Sequence, residues 1–70
     1  MKKGIEKELV SHLRKREAQL HNDLNEASNT FGSGHETTNY YLAKWAMLSN
    51  ILEEFQIAPY TREEREKLAN

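Results

Sequence analysis

Tyr41, Trp45, Leu48, Leu52 and Phe55 follow one another at steps of four, three, four and three residues. That spacing lays a single apolar stripe along a helix. Tyr40, Met47 and Ile51 widen the stripe to roughly 160° when residues are set at 100° intervals. Upstream, Ile5, Leu9, Leu13, Leu20, Leu24, Ala27 and Phe31 share an arc roughly 100° wide, the pattern of an ordinary amphipathic helix. Arg16 lies inside that arc and Asp23 at its edge. Strand-like alternation is absent, so the pattern predicts an all-α chain. Helix 1 is expected at about 5–31, a turn at 32–34 and helix 2 at about 35–58, one hairpin within residues 1–58.

Residues 59–70 are expected to form a short third helix or a frayed tail. Pro59 is placed to stop helix 2, because the residue before a proline avoids helical angles. Thr61 and Glu64 have the spacing of a capping box, but the segment after them has little to bury beyond Leu68.

The stretch TFGSGHE between the two helices concentrates glycine, serine, histidine and glutamate. Turn chemistry accounts for most of it. Gly32 falls where a helix adopts a left-handed C-cap, and Ser33 with Glu36 has capping-box spacing. Gly34 and His35 carry no evident demand. The stretch lacks the lysine, the spacing and the preceding strand of a phosphate-binding loop. A joint this short makes the helices antiparallel. The expected hairpin core is then Leu13, Leu20, Leu24, Phe31, Tyr41, Trp45 and Leu52. Lys44, inside the wide stripe, is expected to pair with Asp23 across the hairpin.

Seventy residues without cysteine make one small domain with neither disulfides nor thiolate metal sites to support it. Helix packing or association must supply the stability. Packing on helix 1 alone uses an arc near 100°. The surplus width of helix 2 therefore predicts a dimer interface formed by Tyr40, Met47, Leu48, Ile51 and Phe55, and two hairpins closing into a four-helix bundle.

The net charge is −1, yet residues 1–16 carry +4 and residues 17–36 carry −4. Hairpins arranged with turns at opposite ends set each basic end against the other copy's acidic turn. Arg14, Lys15 or Arg16 is then expected near Asp23, Glu26 or Glu36 of the second copy.

His12 and His21 stand nine residues apart and project from opposite sides of the apolar arc, which does not make a helical metal pair. No cofactor, metal or catalytic residue is assigned. No apolar run approaches the ~20 residues that span a membrane, and the chain reads as soluble and cytoplasmic. The leading reading is a non-enzymatic, self-associating interaction module, an adaptor or regulator whose partners are itself and another macromolecule. The alternative is a nucleic-acid-binding accessory protein that uses Arg14, Lys15 and Arg16 with Lys2, Lys3 and Lys7.

Overall fold

The computed structural model describes residues 3–69. Three helices follow in order: α1, Lys3–Phe31; α2, Glu36–Glu54; and α3, Arg62–Ala69. α1 and α2 form the antiparallel hairpin, and α3 folds back along α1 rather than α2. The molecule is a slab, with extents of 43 × 25 × 14 Å.

The turn carries two left-handed glycines, Gly32 at φ 90° and Gly34 at φ 91°. The Gly32 N–H closes α1 by donating to the Ser28 carbonyl at 2.9 Å. The cap of α2 departs from the Ser33–Glu36 expectation. His35 is the N-cap, extended at φ −68° and ψ 148°, and its Nδ1 accepts from the Thr37 N–H. The physical reason lies in Gly34. Its left-handed conformation delays the helix start and brings an imidazole acceptor to the free N–H groups in place of the Ser33 hydroxyl. Thr38 Oγ1 donates back to the Gly32 carbonyl at 2.9 Å, tying the first turn of α2 to the end of α1.

α2 also ends earlier than about 58, and Pro59 does not end it. Gln56 adopts a left-handed φ of 56°. Gln56 N–H donates to the Glu53 carbonyl and Ile57 N–H to the Leu52 carbonyl, at 3.0 and 2.8 Å. This paired closure is the Schellman arrangement, here without its usual glycine. The Thr61–Glu64 box forms as expected: Thr61 N–H donates to Glu64 Oε1 at 2.8 Å and Glu64 N–H to Thr61 Oγ1 at 3.3 Å.

Among the described residues Ala18, Leu20, Ala27 and Leu52 are the buried apolar side chains. Leu13, Leu24, Tyr41 and Trp45 are partly covered around them. Phe31 does not join this core. It is half exposed and stacks on the His35 ring at 4.7 Å, because it lies at the mouth of the turn. The Ile5 side chain lies outside the described residues.

Candidate interaction surface

Setting α2 at 100° per residue places Leu52 and Trp45 toward α1. Met47, Tyr40, Ile51, Lys44 and Phe55 then share an adjacent arc roughly 80° wide. The hairpin leaves this arc open. Met47 is 69% exposed, Phe55 71%, Tyr40 57% and Ile51 37%. Leu48, assigned to the same interface, is partly covered because it sits between the open arc and the α1 seam. At the open end of the hairpin the stripe runs into a cleft of about 290 Å³ lined by Leu9, Val10, Leu13, Phe55 and Ile57 with Glu6.

Lys44 does not pair with Asp23. Its ammonium donates to the Tyr40 hydroxyl at 2.9 Å and lies 4.7 Å from that ring's centre. The outer half of the stripe is exposed in one chain, so the ammonium keeps its water and needs no carboxylate. The Lys44 hydrogen bond and charge hold the Tyr40 phenol below its ordinary pKa, and the Arg16 charge adds to this. On the 100° construction Arg16 lies in the apolar arc of α1, on the side that borders this stripe.

The other flank of α1 carries a polar cluster that α3 covers. Glu17 is 3% exposed, and its Oε2 accepts from the Trp45 indole N–H at 2.9 Å. The His21 ring stacks on Trp45 at 5.2 Å. That pairing is what a turn centred near residue 33 requires. The Arg14 guanidinium lies 4.6 Å from the centre of the Tyr60 ring, and Asn22 Nδ2 donates to the Arg65 carbonyl at 2.9 Å. Burial and the Arg65 charge lower the His21 pKa, opposed by Glu17. Arg14 Nε, Glu17 Oε1 and His21 Nδ1 are buried without a hydrogen-bond partner.

Helical geometry separates Arg14, Lys15 and Arg16. Arg14 turns inward to Tyr60, whereas Lys15 and Arg16 are exposed and about 100° apart. The three do not form one face. Lys2 and the Lys3 side chain lie outside the described residues. Among the described residues no three carboxylate or imidazole groups gather as a metal would require, and no helix is long and apolar enough to cross a membrane.

Periodicity alone missed Glu17, Ala18, His21 and Asn22 as buried or bridging positions. The signal lay in the third helix, whose docking widens the covered face of α1 beyond the apolar arc. No family model matches the chain, and no curated protein or solved structure matches it significantly.

Proposed function

We propose that this chain is a non-enzymatic interaction module. It self-associates through the open α1/α2 face, two hairpins closing into a four-helix bundle, and acts as a small adaptor or regulator of another macromolecule. The observation that carries this reading is the continuous exposed stripe of Tyr40, Met47, Ile51 and Phe55. Exposed apolar surface of this extent and continuity marks interfaces.

Sedimentation equilibrium tests the proposal. The natural chain should sediment at twice 8.2 kDa at micromolar concentration. Met47→Glu with Ile51→Glu should give a monomer. Both side chains are solvent-facing in the single chain, so the variant should keep its helical circular dichroism. A natural chain that stays a folded monomer at about 100 μM, well above the range of stable dimers, would sink the reading.

A further inference from the structure

We infer that the second copy lies head to tail on the first, α2 against α2, with the two-fold axis crossing beside Met47 and Leu48. This inference rests on the self-association proposed above.

Two hairpins packed face to face have two symmetric arrangements. With turns at the same end, the axis runs along the helices and each α2 lies on the other chain's α1. With turns at opposite ends, the axis crosses the helices, so α2 lies on α2 and α1 on α1. The distribution of apolar groups separates the two. On the open face most of the large exposed apolar side chains belong to α2, and α1 adds Leu9 at the open end and Phe31 at the turn. Between those two ends the 100° construction puts Arg16 and Asp23 on that α1 flank, Asp23 in a cleft with Tyr41. Turns at the same end would press Met47 onto Arg16 and Tyr40 onto Asp23. Those charges would then be buried without partners, which is expensive. Turns at opposite ends put apolar stripe on apolar stripe and leave both charges at the rim.

The charge pattern selects the same arrangement. The +4 open end of each hairpin then lies beside the −4 segment that leads into the other copy's turn. Among the described residues of that segment Lys7, Lys15 and Arg16 are exposed and Tyr60 holds Arg14; Arg16, level with Met47, lies at the rim beside the axis, so the complementarity belongs to the two segments as a whole. Such complementarity acts on orientation more than on affinity.

Laying the stripe antiparallel on itself also sets the register. Tyr40 meets Phe55 of the second copy, Lys44 meets Ile51, and Met47 meets Leu48. The Lys44 stem then covers an aliphatic side chain while its ammonium remains on the Tyr40 hydroxyl. An axis nearer the turn, at Lys44, would set two ammonium groups against each other. In this dimer the two α3 helices lie on the outer sides, giving two identical outward surfaces, as a bridging adaptor needs.

The chain has no cysteine, so single cysteines report pairing directly in the full-length protein. Mild oxidation should link Met47→Cys to itself. Tyr40→Cys mixed with Phe55→Cys should give mixed disulfides well in excess of either self-linked product. Tyr40→Cys linking to itself as readily as to Phe55→Cys would overturn the orientation and leave self-association standing. A natural chain that sediments as a monomer would overturn both. Spin labels on Ser33→Cys, in the exposed turn, give a second measurement that leaves the interface intact. The arrangement places them about 40 Å apart, from ~1.5 Å of rise per residue between turn and axis. A separation of about 15 Å or less would mean turns at the same end.

Discussion

The indole N–H of Trp45 donates to Oε2 of Glu17 at 2.9 Å, across the seam between α2 and α1. It is a side-chain hydrogen bond joining the two long helices, and its acceptor is almost wholly buried. Glu17→Ala leaves the indole donor without that acceptor, and an unpaired buried donor costs about 1–3 kcal/mol. Glu17→Gln keeps a carbonyl acceptor and removes the buried charge, so it should cost much less. Urea unfolding followed by the fluorescence of Trp45, the only tryptophan, measures both. Equal losses for Ala and Gln would show that the charge matters, and not the acceptor.

His21 should make stability depend on pH. Its folded pKa is lowered, first by burial, then by Arg65 of α3, with Glu17 of α1 opposing and the neutral Trp45 ring stacked on it. The unfolded chain therefore takes up a proton at His21 before the folded chain does. Stability from this group is complete above about pH 6.5 and falls as the pH drops from there toward the lowered folded value. Carboxylates titrate at lower pH, so the comparison must be with His21→Phe. Between pH 7.5 and 5.5 the natural chain should lose more melting temperature than the variant. An NMR titration should show the His21 ring protonating below its ordinary range, and lower still in Glu17→Gln.

Gln56 holds a left-handed φ of 56° at the end of α2. A side chain in that region costs roughly 1 kcal/mol relative to glycine. Gln56→Gly should therefore stabilise the chain by about 0.5–1 kcal/mol, a gain reduced by the greater freedom of glycine in the unfolded chain. A chemical denaturation midpoint that falls would show that the Gln56 side chain contributes a contact worth more than the strain.

The helical hairpin was legible because its signals are local. Heptad spacing from Tyr41 to Phe55, the glycine at 32 and the Thr61–Glu64 box each depend on a few neighbouring residues. The misassigned features depend on chain geometry or on distant packing. Ser33 has good capping chemistry, yet Gly34 takes a left-handed turn and passes the cap to His35. Pro59 is a strong stop signal, yet the backbone had already closed on Gln56. Arg14 resembles its basic neighbours in sequence, and only the return of α3 sets Tyr60 against it. Phe31 fits the apolar arc of α1 by angle, but α2 has not yet begun at its level, so it packs on the turn. The open stripe was legible as excess width, since one partner helix covers only part of an arc that broad.

α3 should be the least stable element, and its docking should depend on its cap and on Arg14. Eight residues are too few for a helix to hold itself together in water. α3 has the reciprocal Thr61–Glu64 bonds at its start, which together with the Arg14 and Lys67 charges hold the exposed Glu64 carboxyl below its ordinary pKa. It is fastened to α1 by the Asn22–Arg65 hydrogen bond and the Arg14–Tyr60 contact. Beneath it lie buried polar atoms of Arg14, Glu17 and His21 without partners, each of which regains water if α3 lifts. Thr61→Ala removes one half of the box, a loss of about 1 kcal/mol for a helix cap. Arg14→Ala removes a cation–π contact of about 0.5–2 kcal/mol. Hydrogen exchange should show the α3 amides opening before those of α1 and α2 in the natural chain. Both substitutions should speed exchange in α3 severalfold with little change near Leu20 and Leu52. Acceleration spread evenly over all three helices would mean that α3 opens only when the whole fold does.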